Sequence, residues 1–191
     1  MSDDLVNFLT RPAYEVAPQL IGSILEREVD GKILRVRIVE TEAYDETDAA
    51  SHSFNGRTPR TEIMFGKPGH LYVYFTYGMH YCCNIVTGAV GTGSAVLIRA
   101  VEPIEGAEFM QERRNRSGIE LTNGPAKLCQ ALGIDKQLNG HDLKERPLQL
   151  VLRPALDSQY ITQTTRIGIS KAKDIPWRFY LTSNHYVSAP H

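Results

Sequence analysis

The chain has 191 residues, 42% of them hydrophobic and 23% charged, with a net charge of −1. Such a composition excludes a disordered polymer, and no apolar run approaches the roughly 20 residues of a membrane-spanning helix. Residues 1–50 carry 11 acidic and 5 basic groups and the rest of the chain carries the basic excess, so a nucleic-acid partner is permitted by a local basic surface but not demanded by charge.

The first element read is a short helix from Pro12 to Leu20, entered at Thr10 and Pro12 and ended by Gly22. Residues 23–29 (SILEREV) read as a strand, Asp30-Gly31 as a tight hairpin turn, and residues 33–42 (ILRVRIVETE) as the returning strand. The aromatic and β-branched stretch 70–77 is a strand, Gly78 permits a turn, and residues 81–87 form its partner. Residues 94–101 add another strand. The pattern turns helical from Glu105 to Arg116 and again over residues 125–132, where Asn123 or Gly124 caps, Pro125 opens and Gly133 closes the helix. Residues 147–152, 166–169 and 178–182 read as short strands. Hairpins outnumber crossovers, so the predicted class is α+β: a single mixed domain, residues 1–191, around a curved antiparallel sheet flanked by short helices.

Cys82, Cys83 and Cys129 form no CxxC pair, and their odd number argues for buried small apolar residues. The histidines make no HxxxH or HExxH spacing, so neither a metal nor a cofactor is expected. The absence of GxxxxGK[ST], GxGxxG and GxSxG motifs removes support from nucleotide hydrolysis, dinucleotide redox and serine hydrolase chemistry. The acidic start, Met1 to Asp4, resembles no targeting signal, and a cytoplasmic or nucleoid location is expected.

Chemistry concentrates in two places. Alternate residues of a strand share a face, so Leu34, Val36, Ile38, Glu40 and Glu42 are predicted to line up, with the two carboxylates at the rim of the core. A carboxylate there is a candidate general base; the plainer alternative is a strand end twisting into solvent. A glycoside-hydrolase pair is disfavoured, because such pairs flank the scissile bond from separate segments. The second place is an aromatic cluster: Tyr72, Tyr74, Tyr77 and Tyr81 crowd one hairpin and Tyr44 follows Glu42. Tyrosines supply stacking faces for a base and a hydroxyl to orient it, while β-propensity alone accounts for Tyr72 and Tyr81. Tyr77, beside Met79 at the hairpin tip, fits either an exposed wedge between base pairs or a ring packed into the core. His52 reads as a loop residue, and Arg57, Arg60 and Lys67 as candidate phosphate contacts or a solvated loop.

Several blocks together carry a family resemblance: VETEAY (39–44), AASHS (49–53), TPR within 57–60, MFGKPGHLYVYFTYGMHYCCNI (64–85), VLIRAVEPIEG (96–106), NGPAKLCQALGI (123–134), RIGIS (166–170) and WRFYLTSNHYVS (177–188). The chain resembles the alkyladenine (3-methyladenine) DNA glycosylases from about Phe8 almost to the C-terminus. The resemblance implies a monofunctional enzyme, with no lyase activity, that takes double-stranded DNA as its partner; a monomer is expected. Such an enzyme flips an alkylated or deaminated purine out of the duplex and hydrolyses its N-glycosidic bond. By position, Glu42 matches the general base and Arg99 the residue that holds it. Tyr44, His52 and Tyr74 match the residues that sandwich the flipped base, and Asn84 the residue that excludes guanine's 2-amino group. Tyr77 matches the intercalating wedge, and Met79 a contact beside it. His80 departs from the Tyr of mammalian members.

Overall fold

Asp30 and Gly31 adopt positive φ, 51° and 71°, which a two-residue hairpin turn requires. They join β1 (Ile24–Val29) to β2 (Lys32–Tyr44) in antiparallel register from Val29↔Lys32 to Ile24↔Arg37. This computed structural model describes residues 2–76 and 78–188; the proposed wedge, Tyr77, lies outside the described residues. A second hairpin pairs β3 (Leu71–Thr76) with β4 (His80–Val86), and β5 (Ala95–Glu105) lies between β4 and β2. β6 (Leu148–Val151) pairs with β1, while β8 (Arg178–Leu181) pairs with β2 at Glu40–Glu42 and with β7 (Ile161–Thr164). All these pairings are antiparallel, and the main path runs β3-β4-β5-β2-β1-β6. The curled antiparallel sheet of an α+β fold is thus the one expected.

Four short helices pack with one face of the sheet: α1 (Ser2–Leu9), α2 (Ala13–Leu20), α3 (Ala107–Arg114) and α4 (Pro125–Leu132). Their apolar residues Leu9, Val16, Leu20, Met110, Leu128 and Leu132 merge with Leu34, Val36, Ile38, Val96 and Ile98 of the sheet in one cluster. A smaller cluster of Met64, Phe65, Tyr72, Val86 and Ala95 covers part of the other face. Cys82, Cys83 and Cys129 are buried and unbridged, as expected.

Several boundaries and one element differ from the sequence reading. Thr10 does not open α2: its hydroxyl donates to the Val6 carbonyl at the end of α1, and Pro12 is the N-cap. The helix expected from Glu105 starts at Ala107, because β5 runs on to Glu105 beyond residue 101. Gly124 precedes Pro125 as the cap of α4. Residues 166–169 are not a strand; the strand is Ile161–Thr164. Gly168 has φ +74°, and the Ile167 N–H points to a side chain, Glu42 Oε1, at 2.8 Å rather than to a ladder partner.

The alternation along β2 also fails, and this decides the site. Val39 is skipped between the pairs Ile38↔Val101 and Glu40↔Ala100, and Arg99 between Glu40↔Ala100 and Thr41↔Ile98. These bulges shift the side-chain phase. Before them the even residues Leu34, Val36 and Ile38 face the helices; after them Ala43 does, and the Thr41 hydroxyl donates to Ala17 of α2 at 2.9 Å. Glu40 and Glu42 therefore turn to the opposite face, fully buried rather than at the rim of the helix-side core.

Candidate active site

The face that receives Glu40 and Glu42 carries a cavity of about 490 Å³, walled by Tyr44, His52, Tyr72, Tyr74, Asn84 and Arg99 together with Ile167 to Lys171. That volume suits a small-molecule-sized guest. The alternation of β3 sends Tyr72, Tyr74 and Thr76 to the cavity while Leu71 and Val73 join the helix-side core. Tyr72 is thus both core and wall: it is buried in the smaller cluster and its ring stacks on Tyr74 at 5.6 Å. Tyr81 packs against the helix-side core, as β-propensity implied.

Glu42 is fully buried behind the cavity wall, and its three partners are all cavity-lining residues. Its Oε2 accepts from the Tyr44 hydroxyl at 2.8 Å, its Oε1 accepts from Ile167 N–H at 2.8 Å, and Arg99 Nη1 is 3.3 Å from Oε1. A carboxylate has about four acceptor positions, so these contacts leave capacity for a water. Burial, then the adjacent Glu42 charge, push the Tyr44 hydroxyl well above its ordinary pKa, so it remains a donor. Burial disfavours the Arg99 charge, but Glu42 and Glu40 outweigh it and its pKa is raised.

Glu40 is committed elsewhere. Its Oε1 accepts from Arg178 Nε at 2.6 Å and from the Ser188 hydroxyl at 2.8 Å, and its Oε2 accepts from Ser188 N–H at 2.7 Å. It ties β8 and the segment at Ser188 to β2. Two acids on one strand sharing Arg99 do not straddle a gap, so the geometry overturns the paired-carboxylate alternative.

Two loops complete the walls. In residues 45–61, the Ser53 hydroxyl donates to Gly93 carbonyl at 2.7 Å and the Gly93 N–H donates to Glu46 Oε2 at 3.0 Å. Only glycine fits there, since a Cβ on residue 93 would meet Ser53 Cβ at 2.5 Å and the Phe65 ring at 2.7 Å. With Ser51 and Ser53 buried on either side, His52 is held at the mouth with an exposed edge. Its ring meets Tyr74 edge-on at 4.6 Å, and its Nδ1 is 3.1 Å from the Tyr72 hydroxyl. Partial desolvation, then the Arg60 charge, lower its pKa, so the imidazole is neutral at pH 7. The second loop is anchored by Arg166, whose guanidinium forms a fully buried ion pair with Asp48. It also donates to Ala43 carbonyl at 2.9 Å and to Ala172 carbonyl at 3.3 Å, and lies 4.7 Å from the centre of the Tyr44 ring.

The remaining predicted residues scatter. Asn84 lines the cavity with its amide donating to the Tyr72 carbonyl at 3.2 Å, leaving its oxygen as the free end. Met79 at the hairpin tip is 68% exposed, and His80, beside it, pairs with Thr76. Arg60 reaches the mouth, 5.7 Å from the Tyr74 ring centre and 3.4 Å from His52 Nε2. Arg57 instead packs over the Phe65 ring at 5.4 Å. Lys67 lines a separate cavity of about 470 Å³ with His70, Asp142 and Lys144. The sequence reading missed Asp48, Arg166, Ile167 and Lys171. The block RIGIS was conspicuous, but no spacing shows that a backbone N–H at residue 167 meets an acid at residue 42.

With this geometry in view, comparison with known proteins is decisive. The model of the methylpurine-DNA glycosylase (MPG) family matches residues 7–185. The chain belongs to that family. It is a DNA glycosylase, with damaged DNA as the substrate the family implies. A protein of Carboxydothermus hydrogenoformans is 51% identical over 183 residues, covering 95% of this chain and 96% of the relative. One of Desulfitobacterium hafniense is 49% identical over 195 residues (95% and 96%), and one of Francisella tularensis 47% over 190 residues (97% and 98%). All three carry the provisional name of 3-methyladenine DNA glycosylase. No helix among the described residues is long and apolar enough to cross a membrane.

Proposed function

We propose that this glycosylase removes 3-methyladenine and related alkylated or deaminated purines by hydrolysis, with Glu42 activating the water. One observation carries the reading: Glu42 is bracketed by Tyr44, Arg99 and Ile167, and all three of these also wall the aromatic cavity. A base within the stack is shielded, so the nucleotide rotates out of the duplex. The purine then stacks among Tyr44, Tyr74 and His52. Alkylated purines that carry positive charge gain a cation–π contribution on tyrosine faces, and a neutral His52 avoids repelling them.

Glu42 takes a proton from water as the water oxygen bonds to C1′. The C1′–N bond breaks, and its electron pair leaves with the base. The carboxylate's charge also favours the oxocarbenium-like sugar. Arg99 holds Glu42 through the ion pair, and the Tyr44 hydroxyl fixes the other oxygen. Asn84 at the wall disfavours a purine bearing an extra 2-amino group by its bulk. Tyr77 enters the vacated stack, and the exposed Met79 beside it supports a hairpin tip that meets the duplex. No lysine bonds to the sugar, so the product is an abasic site in an intact strand.

The test is a panel of duplexes, each with one lesion: 3-methyladenine, 7-methylguanine, hypoxanthine or ethenoadenine. Released base with strand scission only after alkali is expected. No release from any lesion, or a borohydride-trapped protein–DNA adduct, overturns the reading.

A further inference from the structure

The charges behind the cavity wall are balanced. Three buried acids, Glu40, Glu42 and Asp48, are matched by three buried guanidiniums, Arg99, Arg166 and Arg178. Of the two cations at the rim, Arg60 is engaged by the His52 ring nitrogen and the Tyr74 face. Lys171 differs: it lines the same cavity, is exposed, and has no ion-pair or hydrogen-bond partner among the described residues.

Its backbone is nevertheless held. Arg166 is pinned to Asp48, and its guanidinium reaches across to the Ala172 carbonyl, the residue next to Lys171. Ile167, four positions before the lysine, gives its N–H to Glu42. One clamped loop thus touches the acid at its start and presents a free ammonium at the rim near its end. A cation held on a fixed loop loses less freedom on binding than one on a flexible tail.

We infer that Lys171 binds a backbone phosphate flanking the flipped nucleotide. The inference rests on the proposed seating of a base in the cavity. With the anomeric carbon at Glu42, the phosphates lie one sugar away and stay outside, because the strand continues through them. The rim is where they pass. An anion there meets an unneutralised charge at Lys171, and a point-charge ammonium suits a phosphate without demanding a fixed orientation. Direct contact with the base is the weaker alternative, because a cation facing a cationic lesion repels it.

The experiment measures wild type, Lys171→Ala, Lys171→Arg and Lys32→Ala on a duplex with a tetrahydrofuran abasic analogue, across a range of salt. Each phosphate neutralised contributes about 0.9 to the slope of log K against log salt. Lys171→Ala is expected to bind more weakly and lose about that much slope. Lys171→Arg should keep the slope. So should Lys32→Ala, which is altered at the start of β2, away from the cavity. An unchanged slope in Lys171→Ala overturns the inference, as does a preserved slope with altered preference among lesions, which would place the lysine on the base. If wild type releases no damaged base, the functional reading fails first and the inference with it.

Discussion

On the helix side of the sheet, Leu34, Val36 and Ile38 of β2 sit among leucines and valines with no charge to neutralise. A few residues further along the same strand, Glu40 and Glu42 are just as buried on the other side, each beside a guanidinium. Aliphatic packing needs only volume and contact. A buried ion pair gains little over an apolar pair of the same shape, yet breaking one is expensive because a lone charge stays behind. The helix side therefore accounts for stability, and the cavity side carries charge that packing alone does not require. Within the cavity side the two acids divide again: Glu40 is saturated by Arg178 and Ser188, whereas every partner of Glu42 also walls the cavity.

That division is broken most severely at Glu40. Glu40→Ala strands Arg178 and removes the tie to Ser188, and is expected to cost about 3–5 kcal/mol of stability in chemical denaturation. A loss below about 1 kcal/mol, the scale of a surface pair, would show that Glu40 anchors nothing. Glu42→Gln should do the converse. Its single-turnover excision rate is expected to fall about 10²–10⁴-fold, the range of a general base, while binding to an abasic-site analogue persists. Near-wild-type excision would remove Glu42 from its proposed role.

Much of this contrast was legible in the sequence, and what was not has a physical cause. The Asp30-Gly31 hairpin, the β3–β4 pair and the Pro125 helix announce themselves through local chemistry. The phase of β2 did not, because Val39 and Arg99 carry no mark of a bulge. Period-two reading put Glu40 and Glu42 on the helix face, whereas they lie on the other. Long-range ties were equally silent. Asp48 and Arg166 are 118 positions apart, and each alone reads as a loop charge. Tyr44 and Tyr74 stood out in the aromatic cluster, the roles of His52, Asn84 and Arg99 came from the family resemblance, and the fold brings all five together; Arg57 and Lys67 came from charge alone, and it does not.

Smaller changes sharpen the comparison. Tyr44→Phe keeps the ring and removes one hydrogen bond to a carboxylate, worth about 1.5–3 kcal/mol. Excision at saturating enzyme should drop roughly ten- to hundredfold with binding largely retained; a change confined to binding would limit Tyr44 to stacking. On the helix face, Ile98→Val should cost about 0.5–1.5 kcal/mol and leave excision intact. An excision defect larger than the stability loss would show that the two sides are not separable.

The smallest effect expected is a pH dependence at His52. A guanidinium only donates, so the Arg60 contact assigns Nε2 as acceptor and Nδ1–H as donor to the Tyr72 hydroxyl. Protonation of the ring breaks that arrangement and sets a cation against Arg60. Because the folded-state pKa lies below the ordinary value, down to about 4, the unfolded chain takes up the proton more readily. The stability contributed by the neutral ring is therefore complete above about pH 6.5 and declines as pH falls toward the folded value. The exposed edge of the ring keeps the effect modest. Denaturation midpoints of wild type and His52→Gln, taken at pH 7.5 and 4.5, check the sign. Any advantage of wild type should shrink at the lower pH, since glutamine has no proton to gain; a gap that stays constant or widens would mean that the ring's neutrality has no part in holding the mouth of the cavity.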